Sequence, residues 1–203
     1  MGNKSKYYPA TFRNTVLAGT SFKLNFVILK DMEMNKQKID QRIQQNLFSA
    51  NNQVVISAIS EIKEKGNSLY LPLLFEVLTS DPDKEVEKEI TELLGTVKEK
   101  DSVNTFMRAV EDERYKSIRK LILIACWQNG LDFSTFLPVF VDQVINEDWE
   151  IAFEAFTVID NLEFLPSEAI VNIALEKIRH SQKTANAQKQ YFLNEIAIKL
   201  QEQ

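Results

Sequence analysis

A serine returns along this chain at a nearly constant interval: Ser68, Ser102, Ser134 and Ser167, separated by 34, 32 and 33 residues. Each follows a short polar break and stands ahead of a run whose apolar residues recur at helical spacing. A period of this length is the signature of stacked helical hairpins, because one hairpin cannot bury its apolar face alone and needs a neighbour to cover it. Helix-breaking residues are scarce, with five glycines and five prolines among 203 residues. That scarcity argues against a many-turned β architecture. A chain of this length buries roughly 70% of the surface its unfolded form exposes, so stability requires neither metal nor disulfide.

Helical patterning begins after Lys36, where Ile39, Ile43 and Leu47 at i, i+4 and i+8 mark an opening helix. Four hairpins of about 33 residues follow, each read as a first helix A and a second helix B. The A helices align position by position. Val55, Val86, Ile118 and Ile151 share one site; Ile59, Ile90, Ile122 and Ala155 lie four residues on; Ile62, Leu93, Ala125 and Val158 lie three beyond those. Positions i, i+4 and i+7 form the face a helix must bury. Gly66, Gly95 and Gly130 fall just past three A helices, with Asn161 in the fourth, where a left-handed cap is expected.

The B helices are expected to open at the serines, whose hydroxyls can accept first-turn N–H groups. Counted from the serine, positions +3, +6, +7 and +10 face the core: Leu71, Leu74, Phe75 and Leu78 in one unit, Leu137, Phe140, Val141 and Val144 in another. Pro72 and Pro138 are tolerated in or beside the first turn. The unit opening at Ser102 places Arg108 and Asp112 at two of these core positions, so its register is open to a slip of one residue. After a polar break at residues 180–184, a last helix carries Tyr191, Phe192, Ile196 and Leu200, a stripe expected to cap the fourth hairpin.

The segment Asp81-Pro82-Asp83-Lys84-Glu85-Val86, followed by Ile90, Leu93 and Leu94-Gly95, resembles the HEAT-repeat pattern, in which an Asp-Pro-Asp turn leads to a Val-Arg pair. Ile118-Arg119 supplies that pair in the next unit, whereas Glu87 stands where the arginine would be. The resemblance covers about residues 37–180. It implies an all-α, right-handed α-solenoid of about four HEAT-like hairpins plus flanking helices, of the armadillo-like kind, and says little about activity.

Charge divides the chain. Residues 1–30 hold Lys4, Lys6, Arg13, Lys23 and Lys30 and no acid; beyond them 19 basic residues face all 29 acids, a net of −10. Residues 1–35 read as a basic, irregular tail and 36–203 as the helical domain. The tail is open to three readings: an arm for an anionic partner or for the acidic body, a targeting peptide, or a stretch preceding a start at Met32 or Met34. The lone Cys126 sits in an apolar run and suits a reducing compartment. No stretch approaches the ~18 apolar residues of a membrane span. A cytoplasmic protein with no membrane partner is the expectation.

Little chemistry is encoded. With one histidine (His180) and one cysteine, His/Cys metal sites and Cys–His or Ser–His nucleophilic pairs have no constituents. Glycine-rich phosphate loops are absent, and no cofactor is expected. Acidic groups at the turns, such as Asp81/Asp83 and Glu111/Asp112/Glu113, read as helix caps. An enzyme here would have to work through carboxylates alone. Nucleic-acid binding needs clustered cations, and the body is acidic, so only the tail could supply it.

The expected function is therefore a non-catalytic interaction or scaffold module that binds a peptide or helix on the concave side lined by the B helices. The alternative is a nucleic-acid-associated protein using the basic tail. Opposite the core face lie +5, +8 and +9 from each serine, which nominates Leu73, Glu76, Met107, Glu111, Val139, Asp142, Gln143, Asn172 and Glu176 as an apolar stripe edged by carboxylates, suited to a partner with basic flanks. Trp149, in the first turn of an A helix among Glu147, Asp148 and Glu150, joins them as an anchor, or else staples the helix start. Trp127 reads as core.

Overall fold

A computed structural model describes residues 39–65, 68–182 and 186–201. The basic tail, Gly66 and the end of the polar break lie outside these residues. Every described element is helical: α1 (Gln41–Leu47), α2 (Asn52–Lys65), α3 (Leu71–Thr79), α4 (Lys84–Leu94), α5 (Ser102–Glu111), α6 (Arg119–Asn129), α7 (Leu137–Asn146), α8 (Trp149–Asp160), α9 (Glu168–Ser181) and α10 (Ala187–Gln201), with short 3₁₀ segments ahead of α3, α6 and α7.

All twelve aligned A-helix positions are buried, from Val55 through Val158, and so are the eight B positions assigned around Leu71 and Leu137. Each fully buried Leu, Ile, Val or Phe contributes roughly 1.5–3 kcal/mol of transfer free energy, so this repeated face dominates the fold. The helices lie in two rows. In one, α2, α4, α6, α8 and α10 touch in succession; in the other, α1 touches α3, α3 touches α5, and α7 touches α9. Phe133, in the loop before α7, spans the step from α5 to α7. Its ring is edge-to-face with Phe106 at 6.2 Å and with Phe140 at 6.1 Å. Phe75 continues this edge-on series to Phe106 at 5.8 Å and to Tyr115 at 5.7 Å.

The pairing of helices differs in phase from the expectation. The closest consecutive neighbours are α1 with α2, α3 with α4, α5 with α6, α7 with α8, and α9 with α10. Each B helix thus pairs with the A helix that follows it, making five close pairs among the described residues. The flanking helices α1 and α10 are members of pairs, not additions to them.

Capping follows the same phase. Ser102, Ser134 and Ser167 do not cap. Ser102 is the first residue of α5 with its hydroxyl buried and unpartnered, and Ser167 precedes α9 without a side-chain cap bond. Asn and Asp before the second helix of each pair do the work instead. Asn51 accepts from Gln53 N–H (3.0 Å), Asp83 from Glu85 (2.9 Å), Asp112 from Arg114 (2.9 Å), Asp148 from Ile151 (3.1 Å) and Asn186 from Lys189 (2.9 Å). A carboxylate there also favours the helix N-terminal dipole. Lysines from other segments close several C-termini: Lys98 donates to the Asn129 carbonyl, Lys189 to Ile145 and Lys199 to Asp160.

Among the expected glycine caps, Gly130 is left-handed at φ 65°, whereas Gly95 and Asn161 are not (φ −70° and −88°). Gly95 is small for a different reason: a Cβ there would stand 2.6 Å from Gln128 Oε1 and 3.3 Å from Gln128 Cβ. Asp81, before Pro82, takes the left-handed turn after α3 at φ 56°.

Among the described residues, Arg119 is the largest fully buried side chain. Its guanidinium donates to Glu147 at 2.6 Å and to Glu113 at 3.0 Å, joining the start of α6 to the α7–α8 turn. That bond pulls the Glu113 carboxyl below its usual range.

Candidate functional site

The B-row residues nominated from sequence are not brought together as one apolar stripe. Leu73 and Val139 are half-buried and pack on the core. Met107 is core at 1% exposure, which removes it from any docking face. The cause is the slip of one residue in α5: Phe106, Met107 and Val110 turn inward, and the outward positions fall to Asn104, Arg108 and Glu111. Glu76 is exposed, but its carboxylate accepts from the Tyr115 hydroxyl at 2.8 Å. That contact and burial both raise the Tyr115 pKa, with burial the larger cause. Gln143 is half-buried, its Oε1 enclosed without a partner.

Farther along, a shallow hollow between α7 and α9 does join two nominated acids, Asp142 and Glu176, with Ile145 and the exposed Ile173. Lys177 neutralises Asp142 at 2.7 Å. Asn172 is exposed on the same helix, and His180 Nδ1 stands 2.7 Å from the Glu176 carbonyl oxygen.

Trp149 lies elsewhere and in different company. On α8 the residues Trp149, Phe153 and Phe156 recur at i, i+4 and i+7, turned away from the buried Ile151, Ala155 and Val158. Phe192 of α10 comes up between them, stacked on Trp149 and on Phe156 at 4.9 Å each and 6.2 Å from Phe153. Tyr191 sits beside it at 6.0 Å. Phe192 is buried, but Trp149, Phe153 and Tyr191 are 46%, 43% and 60% exposed, so three aromatic rings grouped around Phe192 meet water. The inward stripe assigned to α10 is therefore Phe192, Leu193, Ile196 and Leu200; Tyr191 points out. Trp127, half-buried, donates its indole N–H to Glu154 at 3.1 Å and is part of the α6–α8 packing.

Phe153 and Tyr191 were not nominated from sequence. The available signal was a second aromatic stripe on α8, opposite the one that alignment had already assigned to the core.

Below the rings, between the C-terminal halves of α8 and α10, lies an open hollow lined by Phe156, Asp160, Glu195, Ile198 and Lys199. Lys199 is committed to Asp160, through its carbonyl and through its carboxylate at 3.7 Å. Glu195 has no cationic partner among the described residues.

Burial raises the pKa of the Cys126 thiol far above neutrality and keeps it protonated and inert. Among the described residues, no three His, Cys, Asp or Glu side chains converge on a metal position, and no helix is long and apolar enough to cross a membrane. No known protein family and no curated protein matches this sequence.

Proposed function

We propose that this protein is a non-catalytic interaction module, a HEAT-like α-solenoid that docks a protein partner on the α8–α10 aromatic patch. The observation that carries the reading is that Trp149, Phe153 and Tyr191 each pack on the buried Phe192 and are left partly open to water. Contiguous exposed apolar surface on a folded domain marks interaction sites, and Trp and Tyr are over-represented among the residues that carry binding energy. The solenoid reading is supported by the two rows of touching helices and by Arg119, which bonds across successive turns. The B-row surface is the weaker docking candidate, because its centre on α5 presents Asn104, Arg108 and Glu111 in place of an apolar stripe.

The test is affinity capture from cytosolic extract with wild-type protein and the Phe153→Ser/Tyr191→Ser variant side by side. Partners retained by the wild type and lost by the variant support the reading. Equal retention by both moves docking away from the patch.

A further inference from the structure

We infer that the partner is a cationic amphipathic helix, laid along the α8–α10 face with an apolar anchor on the rings and an arginine or lysine in the hollow beyond them. This rests on the docking reading above and adds the chemistry of the occupant.

Three observations point to it. First, the two helices offer a continuous track. On α8 the exposed Phe153 precedes Asp160 by seven residues, a rise of ~10 Å; on α10 Tyr191 precedes Glu195 by four, ~6 Å. A bound helix with an apolar residue at i and cations at i+4 and i+7 matches both steps, since those positions share one face.

Second, the hollow is acidic and incompletely matched. Its one cation, Lys199, is tied to Asp160, which leaves Glu195 unanswered. Beside the rings stand Asp148, which caps α8, and Glu150, already paired with Lys120 at 2.8 Å. Lys189, in the first turn of α10, is turned to the Ile145 carbonyl. An incoming guanidinium can both approach Glu195 and lie over a ring face, where the quadrupole attracts it.

Third, the face belongs to an acidic body: beyond residue 30 the chain carries −10, so a cationic helix is drawn to it while the helical body of a second copy is repelled.

The full chain titrated into a fluorescein-labelled, 18-residue helical peptide, with Leu at the anchor and Arg at i+4 and i+7, tests this by anisotropy. The same peptide with Gln in place of Arg is the control. The Arg peptide is expected to bind at least tenfold more tightly than the Gln peptide at low salt. Glu195→Lys is expected to remove most of that preference while Tyr191→Ser weakens both peptides. If both peptides bind equally, or Glu195→Lys leaves the preference intact, the cationic assignment is overturned and the docking surface stands. If neither peptide binds, both are overturned.

Discussion

At the scale of single residues, the clearest energetic statement concerns Arg119. A guanidinium with 2% of its side chain exposed is tolerable only because Glu147 and Glu113 answer its charge. Removing one partner of a buried pair strands the other, at a cost of about 3 kcal/mol, whereas an apolar isostere avoids the stranded charge. Glu147→Ala is therefore expected to destabilise more than Arg119→Met, and urea unfolding of the two variants checks the order. Gly130 makes a second case. Its φ of 65° lies where a Cβ is strained, so Gly130→Ala is expected to cost about 1 kcal/mol, read as a lower urea midpoint at unchanged slope. Residue-scale features of this kind were only partly legible. The left-handed Gly130 followed from its place past a helix end, but Gly95 holds its position because Gln128 of another helix packs against it, a contact no local pattern reveals.

At the scale of elements, the caps separate two explanations of the serine period. The repeat is real, yet the groups that satisfy helix N-termini are Asn51, Asp83, Asp112, Asp148 and Asn186. Asp83→Ala and Asp148→Ala are each expected to cost about 1 kcal/mol. Ser102→Ala is expected to be neutral or stabilising, because its hydroxyl is buried without a partner. Thermal unfolding of the three variants decides. The sign of the pH dependence follows from the same turns. Asp112 is held below its ordinary pKa by Arg114, Glu113 by Arg119, and Glu61 by Arg42 and Lys65. A depressed carboxyl stabilises the fold above its unfolded value near ~4 and loses that contribution as pH falls through the folded value. Stability is expected to decline below about pH 4, and Glu113→Gln to flatten that decline.

Which helices exist and which faces they bury could be read from residues such as Val55, Val86, Ile118 and Ile151, because periodicity reports directly on burial. The phase of pairing could not, since both assignments place the same residues inside. Met107 failed on register. The expected register turned Arg108 and Asp112 inward; rotating α5 by one residue frees both charges, buries Phe106 and Val110, and carries Met107 into the core with them.

At the scale of the whole molecule, the described helices build two rows with a core running along both, threaded by the edge-on rings of Tyr115, Phe75, Phe106, Phe133 and Phe140. Against that core, Phe153 and Tyr191 stay 43% and 60% exposed on the α8–α10 face, and the proposed docking surface rests on that exposure. Trp149 belongs to both, stacked on Phe192 yet half open, and was the one nominated residue that led to this face. The most direct measurement is the unfolding free energy of the Phe153→Ser/Tyr191→Ser variant. If the rings are kept for a partner, stability stays within about 1 kcal/mol of wild type, as for other surface changes. A loss of 3 kcal/mol or more, the scale of a core aromatic, would make them part of the packing and contradict the docking surface.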